Sequence, residues 1–352
     1  MTALAERPTL SHGAAAIVAG RRGRARRRML VTIALALAVL VTLAVSVMVG
    51  STFYGPLDVL RVIAGERVPG ASFSVGELRL PRDLLGLLAG FAFGIAGVTF
   101  QTMLRNPLAS PDIIGISSGA SAAAVFGIVV FSLDQTAVSL LALGGALLTA
   151  MAIYLLSNKG GFAGTRLILI GIGVAAMLDA LVTWVLSRAA MWDLQTAMRW
   201  LTGSLNNASW QSIAPLAITS AVLVPIMLLQ GRRLGLLRLG DDTAASLGVH
   251  VHRTRLLLIL TAVGLLAFAT AASGPIAFVA FMAGPIAARL IGPGGALLVP
   301  SGLVSALLVL LADLAAQYAF DNRYPVGVVT GVLGAPYLIY LLIRTNRTGG
   351  SL

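Results

Sequence analysis

Few side chains in this 352-residue sequence could do chemistry, and their types suit the binding of charge rather than the breaking of bonds. Arg79 and Arg82 bracket a Leu-Pro pair at the edge of an apolar run. Paired guanidinium groups in that position can steer and orient an acidic surface, in a salt-dependent way. Asp179 and Asp313 lie within long apolar runs, where an ionised group is costly and is usually paired or functional. That placement supports one reading as a proton-coupled secondary transporter. Against it, neither acid has a basic or histidine relay partner near it in sequence, and no pair of broken helices recurs in two repeated halves. Cysteine is absent, and His12, His250 and His252 are too few and too scattered for a metal cage. Neither an HExxH nor a GxSxG constellation occurs, and no GxxxxGK[ST] phosphate loop is present. No catalytic residue, no metal site and no cofactor are therefore expected in this chain. Energy for any pumping must come from another polypeptide or from an ion gradient.

The elements that must position these groups are membrane spans. Hydrophobic residues make up 58% of the chain and charged residues 11%, with a mean hydropathy of +0.93. A soluble domain carries about 25% charge. Apolar stretches of about 20 residues bounded by charge, Pro or Gly predict ten helices. They lie near 29–50, 82–104, 113–131, 136–157, 166–188, 211–230, 255–272, 276–291, 296–318 and 328–344. Gly274-Pro275 and Gly284-Pro285 interrupt the 264–292 region, which reads as two helices or as one broken helix. The chain divides into a basic tail 1–28, a ten-helix transmembrane body 29–344 and a short tail 345–352. The stretch Arg79–Ala120 organises it: one span whose Gly90, Gly94 and Gly97 leave a face smooth enough for close helix packing, a re-entry, and a second span.

Charge distribution sets the orientation. Arg21, Arg22, Arg24, Arg26, Arg27 and Arg28 precede the first span, which marks a cytoplasmic N-terminus. With ten spans, Arg7, Arg105, Lys159, Arg166, Arg232, Arg233, Arg238, Arg253, Arg255, Arg289, Arg344 and Arg347 also fall inside. Only Arg61, Arg67, Arg79, Arg82, Arg188, Arg199 and Arg323 fall outside, so both termini are cytoplasmic. The basic tail holds no aromatic residue to stack on bases, which argues against nucleic acid despite a net charge of +12. The first apolar run is longer than the ~7–15 residues of a signal-peptide core. On the outer side, 51–81 carries mixed charge and 189–210 carries Trp192, Arg199, Trp200 and Trp210, with a short interfacial helix expected over Asp193–Leu201. On the inner side, Asp241 or Asp242 can cap a short amphipathic helix through Ala244 and Leu247 that Gly248 ends. Such an element can sit as a knob in a partner's cleft.

RLPR, the string QTMLRNPLASPDIIGISSGA from Gln101 to Ala120, LGDDTAASLGV, GPIAFVAFMAGPIAARLIG and YPVGVVTGVLGAPYLIYLLIR together resemble the FecCD-type permease family over about residues 30–347. Asn106, Pro107, Pro111, Gly115 and Gly119 carry the most specific part of the likeness. The resemblance implies an all-α polytopic protein of ten transmembrane helices with the type II ABC importer permease architecture, in the bacterial inner membrane. It implies import of a ferric siderophore, with haem or vitamin B12 as alternatives. It further implies a second permease subunit (a copy or a paralogue), two cytoplasmic ATPase subunits that hold ATP and Mg, and an extracytoplasmic binding protein that delivers the cargo.

By the same resemblance, Arg79 and Arg82 receive acidic residues of the binding protein. The segment 240–253, with Asp241, Asp242, Ala244, Leu247 and Gly248, docks the ATPase. Thr99, Gln101, Ser117 and Ser118 are polar candidates along the translocation path. Three departures stand out. A family Pro-His pair followed by Arg is replaced by Gly284, Pro285 and Ala288, with Arg289 one place on. A family arginine after Asp313 is Gln317. Arg323 stands where relatives often have Glu, and can restore the positive charge lost at Gln317.

Overall fold

The structure, a computed structural model, describes residues 10–111, 114–157, 164–292 and 296–348. Arg7, Lys159, Asp112 within the Gln101–Ala120 string and the far ends of the two tails lie outside the described residues. In chain order the helices are α1 (Leu10–Met48), α2 (Pro56–Ile63), α3 (Leu80–Met103), α4 (Ile116–Val129), α5 (Gln135–Ser157), α6 (Gly164–Leu186) and α7 (Met191–Thr202). They continue as α8 (Trp210–Leu237), α9 (Asp241–Ser246), α10 (Val251–Ser273), α11 (Val279–Ile291), α12 (Leu298–Tyr318) and α13 (Val326–Thr348). A π-helical segment, Ser72–Arg79, leads directly into α3.

Among the described residues, α1, α3, α5, α6, α8, α10, α12 and α13 are long and apolar enough to cross a membrane. α4 and α11 are apolar but shorter, at 14 and 13 residues. With them, all ten expected spans are present. A helix of that length rises about 20 Å, short of the ~30 Å hydrocarbon layer. Irregular backbone therefore completes each crossing, and it is tolerated at that depth only inside protein. Ala109, Ser110, Pro111 and Ile114 before α4, and Gly274 and Ile276 before α11, are indeed buried. The interrupted 264–292 region is thus two helices: α10 stops before Gly274-Pro275, and α11 restarts after Phe278.

α3 is the hub. It packs on α12, α10, α11 and α8 and is mostly buried, whereas α5, α6, α8 and α13 expose most of their apolar surface. The smooth face expected on α3 has a clear cause. A Cβ on Gly94 would meet the Ser301 carbonyl of α12, and one on Gly97 would meet the Ala280 carbonyl of α11. Any side chain there would push two spans off the hub.

Helix extends beyond the expected spans in two places. The first helix starts earlier than residue 29, because α1 runs from Leu10 through the arginine block as one helix; Ala and Arg are strong helix formers. The 51–81 connection, for which no helix was expected, contains α2 and the π-helical segment. The interfacial helix expected over 193–201 is α7, and it leaves Trp192 exposed. Trp210 ties the start of α8 back to the π-helical segment through an Nε1–H bond to the Gly76 carbonyl at 3.0 Å.

Candidate functional site

Charged residues gather at both ends of α3. At its N-terminal end, Arg79 donates to the carbonyls of Val47 and Met48 (3.0 Å each) and of Thr52 (2.7 Å), and stacks over the Tyr54 ring. The last carbonyls of α1 lack helical partners and carry the negative end of its dipole, so a guanidinium is a natural cap. Arg82 makes a bidentate pair with Asp313 of α12, Nε to Oδ2 and Nη2 to Oδ1, both at 2.7 Å. Its remaining Nη1 donates to Asn206 at 2.6 Å. Gln317, one turn after Asp313, donates to the same Oδ2 at 2.7 Å. Asp313 is 2% exposed and Arg82 17%. Next to Arg82 in the chain, Asp83 is buried and accepts from Ser46 of α1 at 2.7 Å.

Both RLPR arginines are therefore engaged within the chain, and Arg323 stands exposed in the turn between α12 and α13. The basic partner of Asp313, missing from its sequence neighbourhood, is Arg82, 231 positions away. Asp179 lies on an exposed face of α6, and its carboxylate has no hydrogen-bonding or ionic partner among the described residues.

At the other end of α3, the short helix α9 packs against α8 and α10. Asp241 does not cap it, and neither does Asp242: the N-cap is Gly240 and no side-chain cap bond is made. The Asp241 carboxylate is taken instead by Arg255 of α10, at 2.8 Å, and faces Arg105 after α3 at 3.7 Å. Two cations hold it more strongly than a backbone N–H could. Arg105 itself has a left-handed backbone (φ 52°), which a non-glycine residue holds only under local constraint. α9 ends as expected at Gly248 (φ 83°): the Val249 N–H reaches the Ala244 carbonyl and the Gly248 N–H the Ala245 carbonyl, a Schellman closure. Ala244 is buried, while Asp242, Leu247 and Gly248 point outward. Beside the pair, a cavity of about 260 Å³ is lined by Tyr154, Asp241, Val251, His252, Arg255, Leu256 and Ile259.

The motif between the two sites does structural work. Asn106 accepts from the Leu108 N–H at 2.9 Å, closing the turn after α3. Gly119 crosses α5 so closely that a Cβ would meet Thr149. Thr99 and Gln101 are core residues here. Thr99 donates to the Ile95 carbonyl, and Gln101 Nε2 donates to the carbonyls of Pro107 (3.1 Å) and Phe281 (2.9 Å), binding α3, the turn and α11 together. Ser117 is buried and Ser118 half-buried on α4. The shifted Arg289, at the end of α11, lies over the rings of Tyr337 and Tyr340 of α13.

A family model described as the FecCD transport family matches residues 37–344. The chain belongs to the FecCD transport family. Its relatives include the ferric enterobactin transport system permease protein FepG of Escherichia coli (strain K12), 43% identical over 82% of this chain and 88% of that protein. The achromobactin transport system permease protein CbrC of Dickeya dadantii (strain 3937) is 38% identical over 87% of this chain and 88% of its own. A solved metal-chelate type ABC transporter in an inward-facing conformation shares the fold with a TM-score of 0.79 and 26% identity, covering 89% of this chain and 98% of that one. As a FecCD protein this chain is a multi-pass membrane transport protein, all-helical among its described residues.

Proposed function

We propose that this FecCD protein is the membrane-spanning permease subunit of an ABC importer that carries a ferric siderophore into the cytoplasm. The observation that carries the reading is α9: a chain without a nucleotide-binding loop presents a short helix at one end, tied by Asp241 to α10 and to the end of the hub helix. Force applied to α9 by a separate ATPase reaches α3 and α10 through charged contacts rather than through the chain alone. ATP and Mg belong on two such cytoplasmic subunits, and this chain makes and breaks no covalent bond. A second permease subunit and lipid cover the apolar faces of α5, α6, α8 and α13. Both termini lie in the cytoplasm and the membrane is the bacterial inner membrane. The siderophore assignment follows from the cargo named for FepG and CbrC.

At the outer end an extracytoplasmic binding protein docks on Arg323, Arg82 and Arg79. Arg323, exposed, makes first contact, and an acidic residue arriving at Arg82 competes with Asp313, so docking acts on α12. Transport is then a shift between two conformers that partners stabilise unequally. The test is purification from membranes followed by reconstitution. The chain is expected to bring down an ATPase and a second permease, and to accumulate ferric chelate only with ATP and binding protein. Uphill uptake by this chain alone on a pH gradient would overturn the reading.

A further inference from the structure

The Arg21–Arg28 block is held at a defined height against the bundle. α1 runs through it unbroken, and Arg27 donates from Nη2 to the carbonyl of Leu290 (3.3 Å), in the last turn of α11. Beyond the block, α1 turns Val39, Thr42 and Ser46 toward its neighbours α12, α11 and α3. Met29, Ile33, Leu37 and Leu40 are exposed. Those positions recur at steps of three and four and so form one stripe. Carried back by the same steps, the stripe reaches Arg26 and Arg22, both exposed. From Arg26 to the exposed Val45 the helix rises about 28 Å, close to the ~30 Å hydrocarbon thickness. The lipid-facing stripe thus ends at Arg26, and Arg22, one turn further, stands at the depth of headgroup phosphates.

We propose that this face of α1, through Arg22 and Arg26, is a binding surface for anionic phospholipid headgroups. The planar guanidinium matches a phosphate with two parallel donors, and a headgroup of net negative charge is attracted to the block where a zwitterionic one is not. The surface lies apart from the ATPase-facing element, because α9 packs on α8 and α10 whereas α1 packs on α12, α11 and α3. It has no aromatic side chain to hold a base.

The test is native mass spectrometry of the purified protein, together with whatever subunits accompany it, titrated with phosphatidylglycerol or phosphatidylcholine of matched acyl chains. The wild type is expected to retain phosphatidylglycerol preferentially, and less so as salt rises. The double variant R22Q/R26Q is expected to lose roughly 25-fold of that preference, from roughly five-fold per arginine. R61Q/R67Q, exposed arginines of the 51–81 segment, should leave it unchanged. Equal retention of the two lipids by the wild type overturns the proposal. So does a preference that survives R22Q/R26Q, or displacement of phosphatidylglycerol by an equal concentration of a short single-stranded oligonucleotide.

Discussion

The ion pairs at the two ends of α3 have the same chemistry, but their carboxylates meet different surroundings. Arg82–Asp313 is bidentate, is supported by Gln317 and Asn206, and leaves its carboxylate 2% exposed. Asp241 is 41% exposed, beside a cavity, with one close guanidinium and a second at 3.7 Å. In the first case removal of a partner strands a charge away from water, so the pair behaves as a lock between α3 and α12. In the second, water reaches the Asp241 carboxylate but little of Arg255, whose side chain is 9% exposed, so the carboxylate can exchange its partner for water as α9 shifts while Arg255 stays in place. A lock and a joint thus differ by solvent access at the carboxylate rather than by residue type.

That contrast is broken most severely by Arg82→Ala, which should cost about 3–5 kcal/mol of stability, read as a large drop in thermal midpoint in detergent. Arg82→Leu combined with Asp313→Leu should restore most of it; a single variant as stable as wild type would mean the pair is no lock. Gly94→Val drives a side chain into Ser301 and should cost about 1–3 kcal/mol by overpacking, measured the same way. Gly248→Val has open space around it but a left-handed backbone, a local cost of about 1–2 kcal/mol. It should reduce ATPase co-purification and ATP-driven uptake while binding-protein affinity stays intact.

Asp241→Asn sharpens the comparison most. Stability should fall by about 1–3 kcal/mol, because the buried Arg255 loses its charged partner but keeps an amide oxygen as acceptor, yet uptake per ATP hydrolysed should fall several-fold, and an unaltered coupling ratio would remove Asp241 from the joint. Arg323→Glu should have the smallest effect on the fold. Its readout is weaker binding-protein affinity with a flatter salt dependence, and no change in either would end the idea that Arg323 replaces the charge lost at Gln317.

Much of the fold was legible along the chain. The ten spans follow from apolar run lengths, the hub from Gly94 and Gly97, and the end of α9 from Gly248, because each depends on neighbours within a turn or two. The arginine block was legible as charge but not as helix, since no apolar period marks it. The candidate sites were half legible. Arg79 and Arg82 stood out by type, but their partners are backbone carbonyls at the end of α1 and an acid 231 positions on. Asp241 looked like a helix cap because the sequence shows the nearby N–H groups and hides Arg105 and Arg255. The bonds that bury Thr99 and Gln101 were not legible either: Thr99 donates within α3 to Ile95, and Gln101 reaches Phe281 of α11, 180 positions on.

Composition and periodicity alone determined that this chain lies in a membrane, roughly where it crosses, and that it holds no motif for hydrolysing ATP, since those properties reside in short stretches of side-chain chemistry. Only the tertiary structure decided which charges are locked and which can move. Burial and partner distance belong to pairs of residues far apart in sequence, and it is the dielectric around a pair that converts the same two side chains into a clamp or a hinge.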